Sequence, residues 1–389
     1  MSVTIFAMTH KNFIPPADKI YVPLHVGREG KKDLGYLSDN TGDNISDKNQ
    51  YYSELTGMYW VWKNFKESDI VGICHYRRFL VNDAGKLFTK REIEDILGHY
   101  DLIATKTLTM RYPYYDGFSK NHNLKDLEAA MQVIKEMYPV YYETFIQMVH
   151  KRETWFGNIM ICKKTLYDEY CQWLFPIFFE MEKRIDVEGY DDYHKRVFGF
   201  ISEFLLYVWA TVKKLKVYQC KVGMLGEKAE TKELKNALSE YFAKKDISGA
   251  KQFILNALEK RPDVLMEASD LDGELKLAMQ VITTCENEYK VYKTCILDKE
   301  QNFEKLIAVF RMLNEFVESI RYQVTSENDE ICRKVSNDVK RIRKNLKDYE
   351  IDGYKITDIA VEISILLMCS EDNSVEKVRE VIGGFLYGI

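Results

Sequence analysis

The chain has 389 residues, 46% hydrophobic and 30% charged, with a net charge of −5. This is an ordinary globular balance, long enough for two or three domains, and it argues against nucleic-acid binding, which needs a strongly basic face. No apolar run approaches the roughly 20 residues of a membrane span, no signal peptide is recognisable, and the eight cysteines contain no CxxC pair, so the sequence predicts a cytoplasmic protein with reduced thiols.

The first half of the chain alternates between strand-like and helical segments. Strands are predicted at "VTIFAM", "YVPLHVG", "DIVGICHY", "DLIATK", "WFGNIMICK" and "KVYQCKV", and a polar loop at residues 30–48. Helices are predicted at 49–68, 89–100, twice within 124–150, at 165–185 with a bend or break at Pro176, and at 197–215. This alternation predicts a mixed, mostly parallel α/β sheet flanked by helices.

The composition changes near residue 225. All five Trp and all seven His lie before residue 210, and six of the seven Pro lie before residue 180. The remainder carries apolar residues at intervals of three and four, which is typical of amphipathic helices. We therefore predict an α/β domain over 1–225 and an all-α domain, a bundle or a short helical repeat, over 226–389.

A cluster of polar side chains follows the apolar strand at "DIVGICHYRRF". His75, Tyr76, Arg77 and Arg78 stand where this strand leaves the sheet. Ligands of open α/β sheets bind beyond the carboxyl ends of the strands, and the planar guanidinium fork suits phosphate. One interpretation is a diphosphate clamp. The other is an ordinary polar strand end whose arginines pair with surface carboxylates.

The loop "SDNTGDNISDKN" is dense in short hydrogen-bond acceptors, among them Asp43, Asn44 and Asn49. Such side chains bind sugar and ribose hydroxyls. They are also the usual residues of turns, so a purely structural loop stays open. The spacing does not fit an EF-hand.

Glu203 is the only acid in the apolar run from Val197 to Val212. Burial would raise the proton affinity of its carboxylate, as a general base requires. Alternatively, Glu203 faces solvent or pairs with Arg196. The aromatic stretch around Tyr114 and Tyr115, with His122 following, is either an acceptor-side sugar platform or a tyrosine-rich surface loop. Asp116 within it is a second candidate base.

Several strings together resemble a family of bacterial proteins from capsular and exopolysaccharide loci, once annotated only as a domain of unknown function and now grouped with glycosyltransferases. They are "PLHVG", "GDNISDKNQYYSELTGMYWVWKN", "VGICHYRRF", "GNIMICKK", "YCQWLF" and "RVFGFISEFLL", in this order over about residues 3–225. The resemblance implies a GT-A-like fold, a nucleotide-sugar donor such as a UDP-sugar, and a polysaccharide or lipid-linked acceptor. Some members are thought to transfer galactofuranose.

The resemblance also implies roles for individual residues. It puts His25 of "PLHVG" on the donor side with the strand-end and loop residues, and Asn158 of "GNIMICKK" on the acceptor side. GT-A enzymes usually hold a divalent metal with D-x-D after a central strand, where this chain has His75, Tyr76 and Arg77. Our hypothesis is that cationic side chains replace the metal, so a need for Mn²⁺ or Mg²⁺ stays open. One departure is Phe204, where the family usually has Arg after the glutamate.

The sequence therefore predicts a glycosyltransferase with Glu203 as the base, and an inverting mechanism is a guess. The alternative is a non-catalytic carbohydrate-binding or scaffold protein of a polysaccharide assembly complex. The helical half leaves open peripheral association with the inner face of the membrane or self-association.

Overall fold

A computed structural model describes residues 1–110, 112–224, 226, 229–260, 270, 272–322, 350–351 and 353–369. The chain forms two compact units, Met1–Gly226 and Glu227–Ile389. The first unit is a mixed α/β fold, as the alternating pattern predicted. None of the helices described is both long and apolar enough to cross a membrane.

An eight-stranded sheet forms the centre of the first unit, with a separate two-stranded sheet beside it. The strands are β1 (Val3–Thr9), β2 (Tyr21–His25), β3 (Leu37–Ser38), β4 (Ile70–His75), β5 (Arg78–Val81), β6 (Leu102–Thr105), β7 (Leu108–Thr109), β8 (Glu153–Thr154), β9 (Met160–Lys163) and β10 (Val217–Met224). Strands β7 and β8 form the small sheet.

The sheet has a parallel side and a mixed side. Strands β3, β2, β1 and β4 are neighbours and run parallel. Strand β9 is antiparallel to both β4 and β6, β10 is parallel to β6, and β5 is antiparallel to β4 and β10. Six of the eight strands therefore point the same way, as a mixed, mostly parallel sheet requires, and only β5, which folds straight back on β4, and β9, which enters between β4 and β6, run against them.

Close packing in the central strand explains why β4 contains a glycine. A Cβ atom at Gly72 would lie 2.9 Å from Ile161 and 3.0 Å from Ile5, on the two neighbouring strands. Interiors pack too densely to absorb such a clash without movement. The strand that carries His75 is thereby held tightly on both sides.

Helices cover the sheet of the first unit. They are α1 (Asn49–Tyr52), α2 (Leu55–Asn64), α3 (Lys90–Leu97), α4 (Tyr114–Asn121), α5 (Leu124–Met137), α6 (Pro139–Val149), α7 (Lys164–Met181) and α8 (Val197–Val212). The single helix predicted over 49–68 is divided at Ser53, whose φ of 51° is left-handed. Helix α7 runs through Pro176. Of the predicted bend or break, the break does not occur, because buried side chains on both sides of the proline hold the helix in the core.

The described part of the second unit is mainly helical. Its elements are α9 (Ala229–Ala243), α10 (Ile247–Lys260), α11 (Glu274–Tyr292), α12 (Phe303–Tyr322), the strands β11 (Glu350–Ile351) and β12 (Tyr354–Lys355), and α13 (Asp358–Cys369). The two strands pair antiparallel, which departs from the purely helical unit that the sequence analysis expected. Asp270 accepts hydrogen bonds from the backbone N–H groups of Leu275 and Lys276 and so caps α11.

A buried carboxylate organises the long loop between β2 and α2. Asp39 is completely buried and accepts hydrogen bonds from the N–H groups of Gly27 (2.7 Å) and Arg28 (3.1 Å). The hydroxyls of Ser46 (2.5 Å) and Thr56 (2.6 Å) donate to it as well. A buried charge is tolerated when hydrogen bonds replace its hydration, so this loop closes around a satisfied anion.

We expect Asp39→Asn to lower the free energy of unfolding by about 2–4 kcal/mol, because an amide cannot accept all four bonds and buried donors lose their partner. Urea unfolding followed by Trp fluorescence reports on this unit, since all five Trp lie within it. Asp47→Asn is the matched control in the same loop, because Asp47 is exposed. Equal midpoints for the two variants would contradict the role given to Asp39.

Candidate active site

Three neighbouring strands end at one edge of the sheet. Thr9 of β1 lies opposite His25 of β2, and Met8 lies opposite His75 of β4. The N–H of Tyr76 continues this pairing by donating to the Met8 carbonyl at 3.0 Å. Because the strands are parallel, all three carboxyl ends meet there, which is where open α/β sheets bind ligands.

A tight hairpin places the arginines at this edge. His75 and Arg78 are paired across β4 and β5, so Tyr76 and Arg77 form the turn between them. The Arg77 guanidinium carbon lies 5.6 Å from the centre of the Tyr76 ring. Its Nη1 atom is buried and has no hydrogen-bond partner within the described residues. A buried guanidinium nitrogen without a partner is costly, and an anionic ligand would satisfy it.

The Gly157 peptide connects His75 to Glu203. The Nε2 atom of His75 donates to the Gly157 carbonyl at 2.5 Å, since a carbonyl only accepts. The N–H of Gly157 faces the Glu203 carboxylate. Burial lowers the pKa of His75, more than the nearby Glu54 raises it. A lowered pKa favours the neutral form of His75, so the positive charge at this edge comes from the arginines.

Glu203 lies half-buried on α8 among other charges. Burial, followed by the charge of Glu54, raises its pKa to about 8, while Arg78, the Gly157 N–H and Arg196 act in the opposite direction. A carboxyl group with this pKa is a strong enough base to remove a proton near neutral pH. Its environment is the desolvated one that the apolar sequence around it predicted.

Asn158 joins the elements around Glu203. Its side-chain nitrogen donates to Glu54 Oε1 at 2.6 Å, to Ser202 Oγ at 2.7 Å and towards the Gly199 carbonyl at 3.2 Å. Asn158 has a φ of 48°, a left-handed conformation that asparagine tolerates better than most residues. It is only 2% exposed, so its amide nitrogen is used to hold the surrounding elements together, and a role on the acceptor side stays a prediction.

Arg196 stands at the start of α8, and its positive charge acts on Glu203. Its Nε donates to Ser53 Oγ at 3.3 Å, and its guanidinium carbon lies 5.3 Å from the Phe200 ring centre. Together with Arg78, it makes the surroundings of Glu203 partly cationic. This pair of arginines suits an anionic group bound next to the carboxylate.

The aromatic candidates lie in different environments. Tyr114 is buried and stacks on Phe204 with ring centres 4.0 Å apart. Burial and then the Glu203 charge raise its pKa, so Tyr114 borders the site. Phe204, which stands where the family usually has Arg, thus packs against Tyr114. Asp116, two residues further along α4, is exposed.

The other two aromatic candidates make contacts outside the immediate surroundings of Glu203. Tyr115 donates to Glu128 at 2.7 Å. The His122 ring stacks on Phe200 at 4.3 Å. Burial, and then the charges of His194 and Arg196, lower the pKa of His122 to about 3. His122 is thus a neutral part of the aromatic wall next to Arg196.

The loop candidates mostly serve the loop itself. Asp43 is exposed and accepts from the Tyr59 hydroxyl at 3.0 Å. The Asn44 amide donates to the Gly42 carbonyl, and the Asn49 amide donates to the Ser53 carbonyl at 2.7 Å. Such contacts are expected when these side chains stabilise the turns of the loop. They do not test whether the side chains also meet a ligand.

His25 lies at the end of β2, and an aromatic group lies beside the β4–β5 hairpin at the same edge. Burial lowers the pKa of His25, and its Nδ1 is buried without a partner in the part of the chain described. The Tyr76 ring is edge-on to His10 at 5.7 Å and to Phe13 at 5.9 Å. Phe13 in turn lies 6.0 Å from Tyr36. These rings form an aromatic surface next to the hairpin.

Sequence reasoning missed Glu54 and Gly157. Glu54 stands in a polar helix start, where an acid is unremarkable, and Gly157 acts through its backbone. Arg196 was weighed only as an ion-pair partner. All three residues lie in or next to the sequence strings that carried the family resemblance, and this position could have identified them as candidates.

Comparisons with known proteins identify the family of this chain and one similar solved structure. A family model described as "Domain of unknown function (DUF4422)" matches residues 4–214. A search of curated proteins gives no significant match. The chain is similar to a solved structure, "WbbM bifunctional glycosytransferase apo structure", at 27% identity over 58% of this chain, with a TM-score of 0.54. The match spans 46% of that longer chain. Since the family match covers more than half of its residues, this chain belongs to the DUF4422 family, and it is similar to a glycosyltransferase.

Proposed function

We propose that the first unit is a glycosyltransferase that moves a sugar from a nucleotide-sugar donor to a hydroxyl group of a glycan acceptor. The observation that carries the proposal is the position of Glu203, a carboxyl group of raised pKa between Arg78 and Arg196 at the ligand-binding edge of the sheet. The similarity to WbbM supports the reaction class.

In the proposed reaction, Glu203 takes the proton of the acceptor hydroxyl as its oxygen attacks the anomeric carbon. The bond to the donor diphosphate breaks, and the nucleoside diphosphate leaves with the electron pair. Arg77, Arg78 and Arg196 stabilise the developing negative charge, as preorganised cations do in a site shielded from water. A single displacement of this kind inverts the anomeric configuration.

On the donor side, we propose that the base of a UDP-sugar lies against Tyr76 and its aromatic neighbours. His25 is placed for the ribose or diphosphate, because its buried Nδ1 accepts a hydrogen bond when neutral. His75, neutral and bonded to Gly157, positions the hairpin. Asp43, Asn44 and Asn49 shape the donor loop. UDP-galactofuranose is the specific donor that we propose.

On the acceptor side, we propose that the half-buried ring of His122 packs on a sugar ring, with Tyr115 further out and Tyr114 supporting this wall from behind through its stacking on Phe204. We propose a polysaccharide or lipid-linked glycan of capsule or exopolysaccharide synthesis as the acceptor. The reaction would then take place in the cytoplasm, at the inner face of the membrane where a lipid-linked acceptor is presented.

A non-catalytic carbohydrate-binding protein is the rival. A raised carboxyl pKa has no evident use in mere binding, which favours the enzyme. Incubation with a panel of UDP-sugars and a glycan acceptor separates the two: transfer or slow hydrolysis supports the transferase, and ligand-induced thermal stabilisation without turnover supports the binding protein.

Glu203→Gln should lower kcat by about 10²–10⁴-fold, the usual contribution of a general base, and leave donor affinity nearly unchanged. The measurements are transfer kinetics and donor titration by calorimetry. Asp116→Asn is the control, because it removes the rival base from an exposed position. Loss of activity in the Asp116 variant and not in the Glu203 variant would reassign the base.

The pH profile should report the same carboxyl group. With a pKa of about 8 for Glu203, kcat/KM should rise roughly tenfold per pH unit below that value and level off above it. Glu54→Gln should move this rising limb to lower pH, because the Glu54 charge raises the pKa of Glu203. A limb that stays in place in the Glu54 variant would remove Glu54 from this role.

Protein stability provides an independent readout of the same ionisation. The folded state holds the Glu203 proton up to a higher pH than the unfolded chain does. Stability should therefore fall as pH rises from the normal glutamate range to about 8, and change little from this cause above it. Glu203→Gln should reduce that fall in unfolding experiments performed across the range. An unchanged slope would mean that the pKa is not raised.

We also expect transfer to persist after chelation of divalent metals, because arginines neutralise the leaving diphosphate. Arg78→Met should lower kcat by about 10²–10³-fold, as loss of one charge-stabilising donor does. Lys221→Met, an exposed cation on β10, is the control. Activity that disappears with chelator and returns with Mn²⁺ or Mg²⁺ would overturn the cation hypothesis.

A further inference from the structure

A second cluster of reactive side chains lies in the helical unit. Cys285, Glu288 and Cys295 are all buried, at 0%, 2% and 7% exposure. One ligand atom from each lies within 4.8 Å of the other two. Cys285 and Glu288 are three residues apart on α11 and therefore share one face of the helix.

A backbone reversal brings Cys295 to that face. Helix α11 ends at Lys293, whose φ of 59° is left-handed, and the chain turns back into the 3-10 turn Ile296–Asp298. The N–H of Leu297 in this turn faces the sulfur atoms, and Cys285 is hydrogen-bonded to Cys295. Cysteine binds metals as the thiolate, so a metal ion entering here displaces the thiol protons.

The Glu288 carboxylate accepts hydrogen bonds from two other segments of the unit. Thr357, just before α13, donates to Glu288 Oε1 at 2.5 Å, and the Ile296 N–H donates to Oε2 at 3.1 Å. Each oxygen keeps a second lone pair. Partners that orient a ligand and leave a lone pair available are typical of the outer shell of a metal site.

We propose that Cys285, Glu288 and Cys295 bind a single thiophilic divalent ion, with Zn²⁺ the best fit. In a tetrahedral site with Zn–S near 2.3 Å and Zn–O near 2.0–2.2 Å, donor atoms are separated by roughly 3.4–3.8 Å, so the cluster needs to contract by roughly 1 Å or less. Metal entry releases the two thiol protons as two S–H bonds become two S–metal bonds. The fourth position is left to water.

The proposed ion would fasten the end of α11 to the turn that follows it and, through Thr357, to the start of α13. Bound only by the folded unit, it would add to the stability of that unit. The proposal concerns residues outside the candidate active site and does not depend on the transferase function.

The test uses the reduced full-length chain, stripped of metal by a chelator and titrated with Co²⁺ as a spectroscopic substitute. We expect one Co²⁺ per chain to produce thiolate-to-cobalt charge-transfer absorption that added Zn²⁺ abolishes. Cys285→Ser and Cys295→Ser should each remove the absorption, and Glu288→Gln should weaken binding by at least about tenfold. Cys220→Ser, at a buried thiol of the first unit, should leave it intact.

Three results would overturn the proposal. The first is the absence of charge-transfer absorption, and the second is absorption that survives both serine substitutions. The third is a protein that binds no Co²⁺ and whose metal-free Cys285 and Cys295 are oxidised to a disulfide by peroxide. If the serine variants do not fold, X-ray absorption on the zinc-loaded wild type decides: two sulfur neighbours at about 2.3 Å support the site, and a shell without sulfur refutes it.

Discussion

The side-chain amide of Asn158 is the contact on which the candidate active site depends. It joins Glu54 at the start of α2 to Ser202 on α8, immediately before Glu203. The left-handed backbone at Gly157 and Asn158 turns the intervening peptide so that its carbonyl meets His75 while its N–H faces Glu203. One turn thus sets the relative positions of β4, α2 and α8. A longer side chain at position 158 would displace all three.

This arrangement holds the carboxyl groups of Glu54 and Glu203 near each other, with two arginines close by. The charge of Glu54 raises the pKa of Glu203, whereas Arg78 and Arg196 lower it. Burial raises the pKa of Glu203 most, and the two arginines only partly offset it. The intermediate value of about 8 is the compromise that lets one group exist in both forms near neutral pH.

Much of the first unit could be predicted from sequence because its signals are local. The apolar run Ile70–His75 and the helix around Glu203 were recognisable from composition and period. What could not be predicted depends on tertiary contacts. The fold-back of β5 comes from a turn of two residues, Tyr76 and Arg77, that carry no glycine or asparagine to mark it. The neutrality of His75 arises from burial, which a strand-end position does not reveal.

The acidic-amide loop shows why residue type alone misleads about ligands. Asp43 looked like a ligand-binding acceptor and is exposed, with a hydrogen bond to Tyr59. Asp39, four residues earlier and similar in sequence context, is completely buried and accepts four hydrogen bonds, three from its own loop and one from Thr56 of α2. A saturated acceptor has no lone pair to spare for a sugar hydroxyl, and burial closes access to it. Asp39 fixes Gly27 and Arg28, two and three residues after His25, at the edge where the strands end. The Asp39 carboxylate therefore orders the polar loop in the folded protein itself. The conformational entropy of this loop is lost during folding, and ligand binding would not have to order it again.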